Sequence, residues 1–225
     1  MIDYMKEERD LSGDLLNNSS DRVVICICID ASFSMVENNR MKHVNNGIKK
    51  FITNCINDIY AKDSIDLCLI RFGGSKPKII QPFDNIKRVR YKDIEPGGAT
   101  PMGKAVNLAL DEIEKRIEQF DMFGRTHYKP WLIIMSDGKA TDNIEEASFR
   151  TKKLLKSRSI KTKCIDMSEG NDKTSLEEFT LDGEVGTIGA FEIESFFSML
   201  SRSAAGLSKS TPGEDEFTTI GSYDK

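Results

Sequence analysis

The segment that most constrains the fold is an unbroken run of β-branched residues and cysteines at positions 23–29, with the sequence VVICICI. A strand with one face in water alternates apolar and polar residues, whereas this run is apolar throughout. The pattern predicts a strand that is buried on both faces, as in a parallel sheet covered by helices. The run stops at Asp30, where a polar loop begins.

Predicted helices and strands alternate along the rest of the chain. Apolar residues at three- and four-residue spacings predict amphipathic helices at about 41–59, 102–120, 144–157 and 191–200, with a short helix at 176–179. Short apolar runs predict strands at 65–72, 131–135, 160–167 and 184–188, with an edge strand beside prolines at 78–83. This order predicts a doubly wound, Rossmann-like α/β fold, with a mainly parallel sheet, one antiparallel edge strand and helices on both faces.

Length and charge are consistent with one domain that binds no nucleic acid. We expect a polar N-terminal extension at 1–20, the folded domain at 21–210 and a polar, flexible tail at 211–225. The 225 residues include 32 basic and 36 acidic side chains, which gives a net charge of −4. These charges are mixed along the chain without a long basic block, and we therefore expect no nucleic-acid partner.

The apolar segments and the cysteines predict a cytoplasmic protein. The longest apolar run, at 23–29, is far shorter than the roughly 20 residues of a membrane-spanning helix. The first twenty residues lack the apolar core of a secretory signal. The five cysteines include no CxxC pair and lie in apolar stretches. We expect them to be buried free thiols in a reducing compartment.

Five oxygen-bearing side chains are expected at one edge of the sheet. Asp30, Ser32 and Ser34 follow the first strand, Asp137 follows the strand at 131–135, and Thr100 lies in a Pro- and Gly-rich loop. In such open sheets, ligands bind beyond the carboxyl ends of the strands. An all-oxygen set suits a hard cation such as Mg²⁺, with Mn²⁺ and Ca²⁺ as further candidates.

Two helix starts are predicted from capping residues. Thr100 followed by Pro101 predicts an N-cap and a first helical position. Asp142 is expected either near the rim of the metal site or as the N-cap of the helix that follows it.

The same residues carry a family resemblance. The segment Asp30-Ala31-Ser32-Phe33-Ser34 resembles the Asp-x-Ser-x-Ser motif of the metal-ion-dependent adhesion site in von Willebrand factor A (VWA) domains. Thr100 and Asp137 match the remote threonine and aspartate of that site. The resemblance implies direct metal ligation by Ser32, Ser34 and Thr100, with Asp30 and Asp137 acting through water. It also implies an open metal position for a carboxylate of a partner protein, and no enzymatic activity.

A narrower resemblance links the chain to the TerY-type VWA proteins of bacterial tellurium resistance. It spans residues 22–217 and is carried by these segments: RFGG at 71–74, GGATPMG at 97–103, YKPW at 128–131, SDGKATD at 136–142 and SRS at 201–203. It implies a bacterial stress-response setting, with a kinase or a PP2C-type phosphatase among the partners.

One residue departs from the family pattern. VWA domains often have glycine between the two serines, and this chain has Phe33. Its ring could shade the metal, form an apolar rim for a partner or pack locally. The substitution removes no oxygen ligand, so the metal prediction is unaffected.

Parts of the sequence are compatible with three alternative functions. Haloacid dehalogenase-like phosphatases have Asp-x-Asp after the first strand, but Ser32 stands where the second carboxylate would act. A nucleotide-binding P-loop matches Gly98, Gly103 and Lys104, yet Ala105 replaces the required hydroxyl. The main alternative is a scaffold domain that binds its partner without metal.

Overall fold

In the computed structural model, which describes residues 14–169 and 173–213, six strands form one sheet. The strands are β1 (Val23–Asp30), β2 (Ile65–Phe72), β3 (Lys78–Asn85), β4 (Trp131–Ser136), β5 (Lys161–Asp166) and β6 (Gly186–Thr187). The helices are α1 (Arg40–Asn57), α2 (Ala61–Ser64), α3 (Met102–Met122), α4 (Glu145–Lys156), α5 (Thr174–Glu177) and α6 (Ile193–Leu207). Short 3₁₀ turns occur at Phe33–Asn39, Ile86–Arg88 and Ala190–Glu192.

The strand order explains why the site lies where it does. The sheet has the order β3-β2-β1-β4-β5-β6, and only the edge pair β2–β3 is antiparallel. The chain therefore winds from β1 toward one edge and then crosses back to β4 on the other side of β1. A crevice opens at such a switch point, beyond the carboxyl ends of the two central strands. The predicted doubly wound α/β fold with one antiparallel edge strand is confirmed.

The central strand β1 is buried on both faces, as its unbroken apolar sequence predicts. Val23, Ile25, Ile27 and Ile29 belong to a core shared with α1 and α6. The intervening residues of β1 belong to a second core, formed with α3 and α4. Helices thus cover both faces of the sheet, and the strands need no polar face.

The cysteines are buried free thiols, in agreement with the sequence prediction. All five are buried and unpaired by disulfides. Cys26 and Cys28 lie on one face of β1, where Cys68 of the neighbouring strand joins them. Burial is the main cause that raises the pKa of the Cys26 thiol well above its ordinary value, so this thiol stays protonated.

A buried ion cluster lies near the amino end of the sheet. Arg116 of α3 donates to Asp66 Oδ2 from Nε at 3.0 Å and from Nη2 at 2.7 Å. Arg22 approaches the other oxygen of Asp66 at 3.5 Å and also pairs with Asp14 at 2.5 Å. Burial raises the pKa of Asp66, while the two guanidinium groups oppose that rise. The cluster ties α3 and the segment before β1 to the second strand.

Several predicted boundaries differ from the observed ones. Helix α1 ends at Asn57, and Ile59, which the periodicity places in the helix, is 68% exposed beyond it. The strand predicted at 184–188 pairs with β5 only over the two residues of β6. Phe191 precedes α6 and is 84% exposed, so it contributes nothing to the buried stripe of that helix.

Much of the predicted extension and tail lies outside the described residues. Of the extension, residues 14–17 form a helical turn, and Leu15 is buried in the core between the sheet and α3. Of the tail, the structure describes residues 211–213. Within the described part of the chain, no helix combines the length and apolar character that crossing a membrane requires.

Candidate metal centre

The loop after β1 is organised by Asp30, which is fully buried at the end of the strand. Its Oδ1 accepts the backbone N–H of Ser32 at 2.8 Å, and its Oδ2 accepts the hydroxyl of Ser136 at the end of β4. Burial is the largest influence on this carboxyl and raises its pKa to about 6, against the opposing effect of these hydrogen bonds. Asp30 thus fixes the geometry of the loop that follows it.

Two hydroxyls and a second carboxylate converge beside that loop. Ser32 Oγ and Ser34 Oγ are 2.9 Å apart, and Ser34 Oγ donates to Asp137 Oδ1 at 2.7 Å. Ser32 and Asp137 are nearly buried, at 4% and 8% exposure, while Ser34 is half-buried. The structure therefore brings together residues 103 positions apart in sequence.

Thr100 is linked to the same centre through backbone contacts on both sides. The amide of Gly97 donates to the carbonyl of Ala31 at 2.6 Å, and the amide of Phe33 donates to the carbonyl of Gly98 at 3.2 Å. Thr100 is 7% exposed, and its N–H donates to Thr141 Oγ1 at 3.0 Å. The Thr100 loop is thereby held between the loops that follow β1 and β4.

Glycine is required where these loops touch. A Cβ on Gly73 would lie 2.4 Å from the carbonyl oxygen of Ala31. Gly98 has φ of +83°, and a Cβ there would lie 2.2 Å from the Cα of Gly74. Because both contacts are with backbone atoms, a side chain could be admitted only by moving a loop. The Gly-Gly pairs at 73–74 and 97–98 thus allow the close approach that positions Thr100.

The start of α3 differs from the capping prediction. The helix begins at Met102, Pro101 occupies the N-cap position, and neither Thr100 nor Pro101 provides a side-chain cap. The cap comes from Asp142, whose two carboxylate oxygens accept the amides of Gly103 at 3.0 Å and Lys104 at 2.9 Å. Asp142 therefore caps the preceding helix, whereas the sequence predicted either the rim of the metal site or the N-cap of the following helix. This contact fastens the loop after β4 to the loop that carries Thr100.

Arg40, the first residue of α1, is a site residue that the sequence analysis missed. Its Nη1 donates to Asp137 Oδ2 at 3.0 Å, and the residue is 5% exposed. Asn38 and Asn39 precede it with φ of 50° and 56°, in the left-handed region. This turn aims the first side chain of the helix inward. Spacing alone gives no signal for it, because the turn depends on two consecutive unusual backbone conformations.

Two apolar side chains are exposed beside the site. Phe33 is 70% exposed and Val36 is 60% exposed, so neither side chain is packed into the core. Val36 also lines a groove of about 370 Å³, together with residues that include Asn39, Asp93 and Pro96. The Phe33 ring is largely exposed but comes close to the neighbouring loop, since a Cβ on Gly97 would lie 3.8 Å from its Cε1.

The donor set fits a hard divalent cation. An octahedral cation with ligands at about 2.1 Å has neighbouring oxygens about 3.0 Å apart. Ser32 Oγ and Ser34 Oγ are hydrogen-bonded to each other at 2.9 Å, a separation that is also compatible with one edge of such an octahedron. No group of three or more His, Cys, Asp or Glu side chains that could hold a metal occurs among the described residues. Any cation at this centre therefore depends on hydroxyl oxygens together with the two carboxylates.

Fold and site together define an α/β domain with a hydroxyl–carboxylate centre at the switch point of its sheet. The chain belongs to the von Willebrand factor type A domain family, whose model matches residues 25–202. Domains of this family are generally interaction modules rather than enzymes and commonly bind protein partners. None of the curated proteins compared with the chain matches it.

Solved structures share the fold at low sequence identity. The vWF domain of the pilus tip protein Mfa5 from Porphyromonas gingivalis has a TM-score of 0.64 and 12% identity, over 85% of this chain and 98% of that one. The proximal thread matrix protein 1 from the mussel byssus, with a zinc-occupied MIDAS motif, has a TM-score of 0.54 and 17% identity, over 84% of this chain and 49% of that one. The present chain thus spans about half the length of the mussel protein. Manganese-loaded TRAP from Plasmodium vivax has a TM-score of 0.55 and 17% identity, over 78% of this chain and 71% of that one.

Proposed function

We propose that the chain is a metal-dependent protein-binding module. A divalent cation, Mg²⁺ in the first place, is held by the hydroxyls of Ser32, Ser34 and Thr100 and captures an Asp or Glu side chain of a partner. The observation that carries this proposal is the pair of serine hydroxyls 2.9 Å apart beside the Asp137 carboxylate. Their spacing fits two adjacent ligand positions of one hard cation.

The two carboxylates act on the ligands rather than as the main ligands. Asp30 is engaged by the Ser32 amide and the Ser136 hydroxyl, so it orients the loop that carries the serines. Asp137 accepts the Ser34 hydroxyl and fixes its direction. Because the direct ligands are neutral hydroxyls, a bound cation keeps most of its charge and supplies an open position for an external carboxylate.

Two proteins of similar fold hold a metal, which supports the proposal of a bound cation. The mussel protein has zinc in its MIDAS motif, and the Plasmodium vivax protein is manganese-loaded. The oxygen donors of the present chain suit hard divalent cations. We therefore propose Mn²⁺ as a competent substitute for Mg²⁺ and, because it is paramagnetic, as the convenient probe. Ca²⁺ fits the same oxygen donors.

The partner presents an apolar side chain close to its acidic one. Phe33 and Val36 are exposed directly beside the serine loop. Burial of such side chains in a complex contributes favourable free energy, while the metal–carboxylate contact fixes the orientation. Phe33 thus serves as a recognition residue on the rim.

We place the module in a bacterial stress-response or phosphorylation-signalling system, with a kinase or PP2C-type phosphatase as partner. The support for this setting is the motif resemblance at residues 71–74, 97–103 and 136–142. We assign no catalytic residue to the chain. The main competing function is a scaffold that needs no metal. A phosphotransfer enzyme is a second alternative with much less support from the sequence.

The test combines a metal titration with partner capture. Mn²⁺ binding to the full chain is measured by electron paramagnetic resonance for the wild type, Ser32→Ala and the control Ser157→Ala, which changes an exposed serine. We expect Ser32→Ala to weaken Mn²⁺ binding at least tenfold and Ser157→Ala to leave it unchanged. Capture of partners from an extract is then compared in Mg²⁺ and in EDTA.

The two measurements separate the competing functions. Capture that requires Mg²⁺ and is lost in Ser32→Ala supports the proposal. Capture that ignores the metal and the substitution favours the metal-free scaffold. Hydrolysis of a phosphorylated substrate that is lost in Asp30→Ala would instead indicate an enzyme.

A further inference from the structure

Arg40 places a fixed positive charge against the candidate metal centre. Its Nη1 donates to Asp137 Oδ2 at 3.0 Å, and its side chain is 6% exposed. The same nitrogen lies 3.5 Å from the Ser34 carbonyl oxygen and 3.5 Å from Glu37 Oε2. The Glu37 side chain is 72% exposed, so water screens it and Asp137 is the main countercharge of the guanidinium.

The two oxygens of Asp137 have different partners. Oδ1 accepts the Ser34 hydroxyl and Oδ2 accepts Arg40. The guanidinium group of arginine carries a permanent positive charge in proteins. The carboxylate is therefore held and neutralised before any metal arrives. A divalent cation that binds the serine hydroxyls must do so beside an existing positive charge.

We propose that Arg40 tunes the charge of the centre, so that it weakens binding of the metal alone and strengthens binding of an acidic partner to the metal-loaded protein. This inference rests on the proposed function. A divalent cation, the carboxylates of Asp30 and Asp137 and the guanidinium of Arg40 together carry one net positive charge. One carboxylate from a partner brings this group to neutrality. Without Arg40 the group is neutral before the partner arrives, and the attraction for an acidic side chain is weaker.

Replacement of Arg40 by glutamine is expected to change the affinity for the metal and the affinity for an acidic partner in opposite directions. The metal alone binds more tightly to Arg40→Gln, because its repulsion by the guanidinium is removed. At an effective dielectric close to that of water, this repulsion corresponds to about tenfold in affinity. At saturating metal, capture of an acidic partner is weaker in the same variant. A merely structural arginine would weaken both.

Arg40 also keeps Asp137 in place in the metal-free protein. Removal of the guanidinium leaves Asp137, which is 8% exposed, next to the ordered serines without its cationic partner. We therefore expect the melting temperature of metal-free Arg40→Gln to fall below that of the wild type. Added Mn²⁺ supplies the missing positive charge, so it raises the melting temperature of this variant more than that of the wild type.

The experiment uses the full chain with Mn²⁺ alone as the probe, at low ionic strength. Affinity is measured by calorimetry, and melting by circular dichroism, for the wild type, Arg40→Gln, the charge-retaining Arg40→Lys and Ser32→Ala. We expect Arg40→Gln to bind Mn²⁺ about tenfold more tightly and Arg40→Lys to remain within about twofold of the wild type. If Arg40→Gln unfolds without metal, Mn²⁺ is expected to restore its fold, and failure to do so overturns the proposal.

The outcomes distinguish this inference from the proposed function. Mn²⁺ binding by the wild type that is lost in Ser32→Ala supports the metal centre regardless of Arg40. Unchanged or weaker binding by folded Arg40→Gln then overturns the tuning role alone. Absence of Mn²⁺ binding in both the wild type and Arg40→Gln overturns the metal centre and the tuning role together.

Discussion

The carboxylate of Asp30 accepts a hydrogen bond from the hydroxyl of Ser136, so the last residues of the two central strands are tied to each other. The strands β1 and β4 run parallel, and their register brings Ile29 opposite Met135 immediately before this contact. The link therefore closes the floor of the switch-point crevice and sets the direction of the loop that carries the serines.

The pKa of Asp30 predicts how the metal-free protein responds to pH. Burial raises this pKa from 3.8 to about 6, so between these values the folded protein binds more protons at Asp30 than the unfolded chain does. The stability from this group is fully present below pH 3.8 and is lost as pH rises through 6. Between pH 4 and pH 7 we expect Asp30 to lower the free energy of unfolding by about 2 to 3 kcal/mol.

Urea denaturation of metal-free wild type and Asp30→Asn at several pH values checks this prediction. Asn cannot ionise, so the variant gains stability relative to the wild type as pH rises. Carboxyls with lowered pKa, such as Glu178 and Glu194, have the opposite pH dependence but are common to both proteins. A difference between the two proteins that stays constant from pH 4 to pH 7 would contradict the raised pKa.

Gly98→Ala is expected to disrupt both the fold and the metal centre. Its Cβ would meet the Cα of Gly74 at 2.2 Å, and its φ of +83° disfavours any side chain. We expect a loss of about 2 to 4 kcal/mol of stability and a clear weakening of Mn²⁺ binding. The matched control is Gly124→Ala, where φ is +59° but no atom lies within 4 Å.

The two glycine variants separate steric from backbone effects. Gly124→Ala carries only the cost of a left-handed residue, about 1 to 2 kcal/mol, and should bind Mn²⁺ normally. Urea denaturation and a Mn²⁺ titration on both variants give the comparison. Equal losses in the two proteins would show that the close contact with Gly74 is unimportant.

Phe33→Ala is expected to affect the partner and not the metal. The ring is 70% exposed, so its removal changes the free energy of unfolding by no more than about 0.5 kcal/mol. Metal affinity stays the same because no oxygen ligand is lost. Affinity for the partner recovered in the metal-dependent capture falls about five- to tenfold, as expected for an apolar contact residue of about 1 kcal/mol.

Phe149→Ala is the control for that variant. Phe149 is 72% exposed on α4, so the same atoms are removed from a comparably exposed position away from the serine loop. Its partner affinity should equal that of the wild type, measured by surface plasmon resonance. A Phe33→Ala protein with undiminished partner affinity would exclude the ring from the recognition surface.

Arg116→Met is expected to destabilise the domain by about 3 kcal/mol, because it leaves the buried Asp66 carboxylate with a single distant guanidinium. Arg116 is 1% exposed in its side chain and contacts Asp66 at 2.7 Å. Arg150→Met is the control, since its pair with Asp111 is exposed and worth less than about 1 kcal/mol. Thermal and urea unfolding provide the measurement, and similar losses in both variants would argue against the buried cluster.

The residues that sequence reasoning could place are those fixed by local pattern. The apolar run ending at Asp30 predicts both a doubly buried strand and the position of the serine loop. The residues that sequence reasoning could not place depend on contacts between positions far apart in the chain. Arg40 reaches Asp137 because Asn38 and Asn39 adopt left-handed conformations, and Asp142 caps a helix that precedes it in sequence. Neither contact produces a repeating pattern in the amino-acid sequence from which it could be predicted.

The crossover from one side of β1 to the other has a consequence for how the protein folds. The loops at 30–34, 97–101 and 136–142 meet only after both halves of the sheet have joined, so a partly folded chain offers no complete centre. A cation that binds there selects the fully assembled domain and shifts the whole folding equilibrium by mass action. A metal bound at the proposed centre would therefore stabilise the whole domain against unfolding, and not just the loops that hold it.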